Sequence, residues 1–420
     1  MEIYRFLTWL AAPALHVYLR MRRIRGKEDR THFPERFGIA SLARPEGRLV
    51  WCHAASVGES LSVLSLIEAI IKNFPEWKVL LTTGTVSSAK LLSKRLPNGA
   101  IHQYVPVDKT SYVARFLDHW RPDLALCVES ELWPNMLSEL KRRNIPAALL
   151  NGRMSEKTFG RWNLAGGMAR EIMKTFSLVL AQTGEEGDRF SALGASNVHC
   201  IGNLKFAAAP LPCDELELDR LRLQAGTRPV WLMASTHQGE EETALSVHAH
   251  LRAQWPDLLT IIVPRHPERG ESIMKLIGRV GLRGVLRSRQ KNIQQQTEIY
   301  LVDTMGELGL FYRLASVVCV GGTFTWKGHN PIEPAQLGCA VLFGPDMTNF
   351  ASIAEEMLAS RAAFQVHSAN ELAVRLEQLL SAPEDMFALA NSGRAFVEQK
   401  RGVLEETLRL LTPWLSGKNL

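Results

Sequence analysis

At 420 residues the chain is longer than one ordinary hydrophobic core supports, so two domains are expected. Its 46% apolar and 22% charged residues describe a globular body and exclude a multi-span membrane protein. The net charge of +6 is concentrated in residues 20–48, which hold nine Lys or Arg against four Asp or Glu; basicity confined to one segment beside an apolar stretch suits anionic lipid headgroups and argues against nucleic acid.

Residues 3–19 are apolar apart from Arg5 and a few polar side chains, at the short end of the roughly 17–25 residues a bilayer span needs. Arg20, Arg22, Arg23 and Arg25 follow at once. A cleaved signal peptide carries its charge before the apolar run, whereas cations after it favour keeping the rest of the chain in the cytoplasm. The expectation is a membrane anchor over residues 1–25, spanning or lying in the interface, with Trp9 and Tyr18 at headgroup level. A buried first helix of the body fits the same pattern.

From residue 48 short apolar runs alternate with helical stretches. Strands are expected at 48–52, 78–83, 124–128, 147–150, 178–182 and 199–201. A helix is expected over 60–73, with Leu61, Leu64, Ile67 and Ile71 on one stripe. Residues 207–214, AAAPLPCD, break the rhythm and read as a linker. The alternation restarts with strands at 230–234, 259–264, 299–303, 317–321 and 340–343. Strands alternating with helices give parallel sheets covered on both faces, and two such halves give two doubly wound domains with a cleft between them. The boundaries are 26–206 and 215–395, followed by a carboxyl-terminal helical segment, 396–420. The six cysteines form no CxxC, and most lie in apolar runs, so buried free thiols in a reducing compartment are expected.

In such sheets ligands bind beyond the carboxyl ends of the strands. After the first strand comes HAASVGE, where Gly58 permits a tight turn and Glu59 stands at a helix start, ionised and able to take a proton from a hydroxyl. A capping glutamate without chemistry explains the same pattern. Glu129-Ser130-Glu131-Leu132-Trp133-Pro134 puts two carboxylates and an indole at another strand end, suited to a sugar or to capping the next helix. Arg153, in Asn151-Gly152-Arg153, is a candidate partner for an anion or a plain surface arginine.

In the second half Pro264-Arg265-His266-Pro267-Glu268-Arg269 is a rigid cationic turn that suits phosphate or carboxylate. The turns Ala234-Ser235-Thr236-His237 and Asp303-Thr304-Met305-Gly306-Glu307-Leu308 each pass from strand to helix. In Gly321 to Pro334 the glycines admit close backbone approach, Asn330 is an apt N-cap and Pro331 sits at the first helical position. Glu333 stands one turn in, placed to accept from ribose hydroxyls. Neither a Walker A pattern nor GxGxxG is present, which argues against ATPase and dehydrogenase chemistry. Other sugar-nucleotide enzymes of similar fold, using UDP, and a non-catalytic peripheral membrane scaffold are competing readings.

HAASVGE, ESELWPN, NGR-S, GNLKF, PRHPER, DTMGEL and GGTFTWKGHNPIEPA, in this order, together with Glu35-Arg36-Phe37-Gly38, resemble the motifs of the Kdo (3-deoxy-D-manno-octulosonic acid) transferase family over nearly the whole chain. The resemblance implies an α/β GT-B fold of two Rossmann-like domains, the first binding acceptor and the second CMP-Kdo, with the carboxyl-terminal helices crossing back to the first. It implies inverting transfer of Kdo from CMP-Kdo to a lipid A precursor, lipid IVA, at the cytoplasmic face of the inner membrane. The sequence offers no dedicated metal site, so neither a metal nor another cofactor is expected. Glu59 matches the family's base. The second essential carboxylate falls in Glu129-Ser130-Glu131, with Glu131 favoured. Donor contacts map onto Pro264 and Arg265, onto Met305, Gly306 and Glu307, and onto Asn330, Pro331, Ile332 and Glu333; Glu129, Arg153 and Ser235 are acceptor-side or supporting candidates. Gly152 departs from the family, which often has Ala there.

Overall fold

A computed structural model describes residues 1–289 and 292–417. The chain divides into two compact units, one formed by Met1–Ala208 with the segment from Lys400 on, the other by Ala209–Gln399. Residues 418–420 of the expected carboxyl-terminal segment lie outside the described residues.

Among the described residues, unit 1 builds a seven-stranded parallel sheet from β1 (Arg48–His53), β2 (Trp77–Thr83), β3 (Ala100–Tyr104), β4 (Leu124–Val128), β5 (Ala147–Gly152), β6 (Phe176–Ala181) and β7 (Val198–Cys200). The spatial order is β3-β2-β1-β4-β5-β6-β7. Near-continuous apolar runs such as LVWC suit strands buried on both faces. Leu49 and Trp51 enter one core layer, Val50 and Cys52 the other, as a period of two requires. The helix Val403–Leu415 completes the second layer with Val403, Leu411 and Leu415, and the Trp77 indole donates to the Leu415 carbonyl at 2.8 Å.

Unit 2 repeats the plan with β8 (Val230–Thr236), β9 (Leu259–Pro264), β10 (Gly284–Leu286), β11 (Ile299–Leu301), β12 (Val317–Val320), β13 (Ala340–Phe343) and β14 (Phe364–Gln365), in the order β10-β11-β9-β8-β12-β13-β14. In each sheet the strand order turns at the first strand of its unit, between β1 and β4 and between β8 and β12, and in the second sheet β10 lies outside β11 at the edge. These are the switch points at which open α/β sheets leave a crevice for ligands. The register places His53 opposite Cys127 and Ala234 opposite Val320, so the turns that follow these strands emerge side by side.

The amino-terminal segment differs from a bilayer-spanning anchor. It forms two helices, Glu2–Leu10 and Ala12–Ile24, broken at Ala11 ahead of Pro13. Among the described residues no helix is long and apolar enough to cross a membrane. At 1.5 Å per residue, thirteen residues reach only about 20 Å of a hydrocarbon core of about 30 Å. The first helix buries none of its side chains and exposes Ile3, Phe6, Leu7, Trp9 and Leu10. Polar bonds tie it to unit 1: Tyr4 to Asp108, Arg5 to Ser138 and Asn135 to Thr8.

All six cysteines are free; four are buried, whereas Cys200 on the edge strand β7 is exposed and Cys213 partly so.

Candidate active site

Unit 1 gathers acidic groups at its switch point. Ser56 caps the helix Val57–Asn73, its hydroxyl accepting the Glu59 N–H at 3.3 Å. Glu59 reaches back: one oxygen accepts the Ser56 hydroxyl at 2.7 Å, the other the Ala55 N–H at 2.9 Å. This is a capping box displaced by one residue, so the capping reading of Glu59 is physically realised. The same carboxyl is buried beside two others. Burial raises its pKa above the ordinary carboxylate value, the Ser56 hydroxyl opposes the shift, and the negative charges of Glu129 and Glu131 add to it.

Glu131 moves the other way. Burial pushes it up, but His53 and the Trp133 indole outweigh that and hold it below the usual range. Trp133 Nε1 donates to Glu131 Oε2 at 2.5 Å, and His53 Nε2 lies 3.3 Å from the same oxygen, outside aligned hydrogen-bond geometry. Glu129 pairs with Lys205 at 2.9 Å. Three carboxyls thus meet where β1 and β4 end. Glu129 and Asn151 both take left-handed backbone, with φ of 58° and 52°. Such conformations cost about 1–2 kcal/mol and persist where surroundings over-determine them. The buried Asn151 side chain fixes its turn by accepting the Leu204 N–H at 3.0 Å, and its Nδ2 lies 3.5 Å from Glu129. Arg153 joins through its backbone, its carbonyl accepting the Ser130 hydroxyl at 2.6 Å.

Unit 2 gathers imidazoles and arginine. Ser235 is left-handed, with φ of 60°, where β8 turns toward His237. A Cβ on Gly321 would lie 2.7 Å from the Ala234 carbonyl oxygen, and one on Gly322 2.7 Å from the His329 ring, so both positions admit only glycine. His237 lies nearly parallel to Trp326 and to His329, with ring centroids 4.9 and 5.1 Å away. Its Nε2 lies 2.9 Å from His329 Nε2, so one ring donates and the other accepts. His266 meets His237 edge-on at 5.8 Å. Burial and the Arg265 charge lower both rings of this hydrogen-bonded pair, His329 to about 4. The pair is therefore neutral near pH 7.

Beneath this cluster Glu240 is wholly buried and accepts three backbone amides, from His237 at 2.9 Å, Gly322 at 2.7 Å and Phe324 at 3.1 Å. Glu241, equally hidden, is clamped by Arg269 at 2.7 and 2.9 Å. Glu240, His329, Trp326, His53 and Lys205 escaped residue-by-residue reading. The signal available for Glu240 was three consecutive glutamates opening an otherwise amphipathic helix, and the contacts of the rest are long-range.

The remaining sequence candidates fall into two groups. Met305 and Gly306 lie open at the end of β11, Met305 74% exposed. Glu307 is held by the buried Arg287 at 2.6 Å, which also holds Glu217 at 2.6 Å. Asn330 performs a capping bond, accepting the Ile332 N–H at 3.1 Å and donating to Glu333 at 3.1 Å. The helix, however, is Ile332–Gln336, with Pro331 in the N-cap position. Five residues align too few peptide dipoles for a useful macrodipole, so an anion there meets individual amides.

Two doubly wound units with polar clusters at their switch points define a GT-B-like α/β fold. The fold is shared with the UDP-GlcNAc 2-epimerase of Neisseria meningitidis, at a TM-score of 0.59 and 15% identity over 86% of this chain and all of that one. The family described as 3-Deoxy-D-manno-octulosonic-acid transferase (kdotransferase) matches residues 31–208. Over 416 residues the chain is 39% identical to the 3-deoxy-D-manno-octulosonic acid transferase of Rickettsia bellii, covering 98% of this chain and 99% of that protein. It is 32% identical to the Haemophilus influenzae enzyme of the same name over 98% of both chains. The chain belongs to the Kdo transferase family, glycosyltransferases that transfer Kdo in lipopolysaccharide biosynthesis.

Proposed function

We propose that the chain moves Kdo from CMP-Kdo to a lipid A precursor, lipid IVA, with inversion, and that Glu59 is the general base. The supporting observation is the opposed tuning of two neighbouring carboxyls, Glu59 less acidic and Glu131 more acidic than usual. Carboxyls pushed apart in this way divide roles: the less acidic one takes protons, the other stays ionised. Glu59 removes the proton from a primary hydroxyl of a glucosamine unit. That oxygen attacks the anomeric carbon from the face opposite CMP, through a transition state with cationic ring character. Glu131, with Glu129 beside it, offers negative charge to that cation.

On the donor side Arg265 and the turn from Asn330 to Glu333 meet the CMP phosphate as negative charge grows on it. The neutral His237–His329 pair offers hydrogen bonds without adding charge. Ser235 and Pro264 shape the adjoining turns; Met305, Gly306 and Glu307 contribute the end of β11, Glu307 through its Arg287 pairing. Arg153 serves the acceptor side. The exposed apolar face of Glu2–Leu10, with Arg20, Arg22, Arg23 and Arg25 behind it, lies in the membrane interface against anionic lipids at the cytoplasmic face of the inner membrane.

The deciding assay is mass analysis of the product from CMP-Kdo and lipid IVA, with wild type and Glu59→Gln. Loss of transfer by the variant with CMP binding retained is the expected result. Full transfer by Glu59→Gln removes it as the base, and tighter binding of UDP than of CMP replaces the donor.

A further inference from the structure

Beside the second amino-terminal helix, unit 1 holds a cavity of about 320 Å³ that the mechanism above does not use. Leu15 and Leu19 form one wall, and Val107, Val113, Met136 and Trp133 the other. The lining is almost wholly carbon. Its charged residues are bonded within the protein: Arg22 donates to Glu28 at 2.7 Å, Arg36 to the Val105 carbonyl at 2.5 Å, and Asp108 accepts the Asn135 and Met136 amides at 3.1 and 2.8 Å. An apolar cavity of about 150 Å³ takes benzene, so a pocket of about twice that volume with so apolar a lining suits roughly a dozen carbons.

We propose that this cavity receives one acyl chain of the acceptor, an inference that rests on the acceptor being a lipid. Two observations select an acyl chain over other apolar occupants. Trp133 stands in the wall while its Nε1 donates to Glu131 at 2.5 Å, so a chain seated there places its sugar headgroup beside the acid cluster. The wall helix exposes Val17, Tyr18 and Met21 and follows one exposing Phe6, Trp9 and Leu10, apolar side chains open to a lipid arriving from a bilayer. The cavity then measures acyl-chain length next to the reacting hydroxyl, and chain length becomes a specificity determinant of transfer.

The test begins without turnover. The full chain is titrated calorimetrically with n-alkyl maltosides of eight, ten and twelve carbons, below their micelle concentrations. Affinity rises about fourfold per methylene until the cavity is full. Val107→Phe weakens the longest chain at least tenfold and shortens the preferred length, while Val107→Ala shifts preference to a longer chain. Circular dichroism and CMP binding check that both variants fold. A length preference unmoved by either substitution overturns the proposal. With CMP-Kdo present, Val107→Phe raises KM for the acylated acceptor at least tenfold. Wild type that glycosylates a fully deacylated glucosamine disaccharide as efficiently as the acylated one also overturns it, and leaves the functional reading standing. If wild type glycosylates neither acceptor, the functional reading falls, and the maltoside titration still decides the cavity.

Discussion

Each unit buries a glutamate at the start of the helix that follows its first central strand: Glu59 after β1 and Glu240 after β8. Burial raises the pKa of both. They differ in what their oxygens meet. Glu240 accepts three backbone amides, two of them from the glycine turn after β12, and so fastens one strand-end loop to another. Glu59 accepts one amide and one hydroxyl and shares its surroundings with two further carboxyls. Equivalent positions in one fold plan thus serve architecture in unit 2 and, in our reading, proton transfer in unit 1.

The contrast breaks most easily at Glu59. Glu59→Gln keeps the shape of the cap and should lower kcat by about 10²–10⁴, the usual contribution of a general base, with stability changed by only about 1 kcal/mol. Steady-state kinetics and urea unfolding of one preparation check both halves. Glu240→Ala should show the opposite balance. It leaves three amides without an acceptor in a buried site and should cost about 3–5 kcal/mol in urea unfolding. A wild-type midpoint for that variant would refute its structural role. Arg287→Met should come next, at about 3 kcal/mol, because it leaves Glu217 and Glu307 facing one another without their shared cation.

The smallest effect sharpens the chemistry. Since Glu59 acts ionised, kcat/KM should fall as pH drops through its raised pKa, with an acid limb above 4.5. Glu129→Gln removes one like charge and should move that limb downward; an unmoved limb would detach the limb from this cluster. For stability the sign is reversed. Between the unfolded and the raised folded pKa the native state keeps a proton that the unfolded chain releases, so Glu59 makes the protein less stable as pH rises through that window. Glu131, held low, loses its stabilising contribution as pH falls through its own folded pKa.

Much of this architecture was legible as periodicity. LVWC, LALCV and VVCV read as doubly buried strands because nearly every residue in them is apolar, and so they are. The edge strand β3, AIHQY, was silent because its half-buried residues alternate weakly, and β10 and β14 are two or three residues long. Strand-end motifs were visible because glycine and charge interrupt apolar runs. Which charge meets which was not: Lys205 lies 76 positions from Glu129, and His53 78 from Glu131, distances that only the sheet order closes. The amino-terminal helices show the limit of composition alone. Residues 3–19 have enough apolar side chains to suggest a span, but the break at Ala11 before Pro13 divides them into two short helices.

The helix Val403–Leu415 has a consequence for biosynthesis. Domains ordinarily fold in the order in which they leave the ribosome. Here a core layer of unit 1 waits for Val403, Leu411 and Leu415, which emerge only after the whole of unit 2. The half translated first is therefore the half completed last, and a nascent chain halted before residue 403 carries an open apolar face beside the helix Val57–Asn73 that a chaperone has to shield.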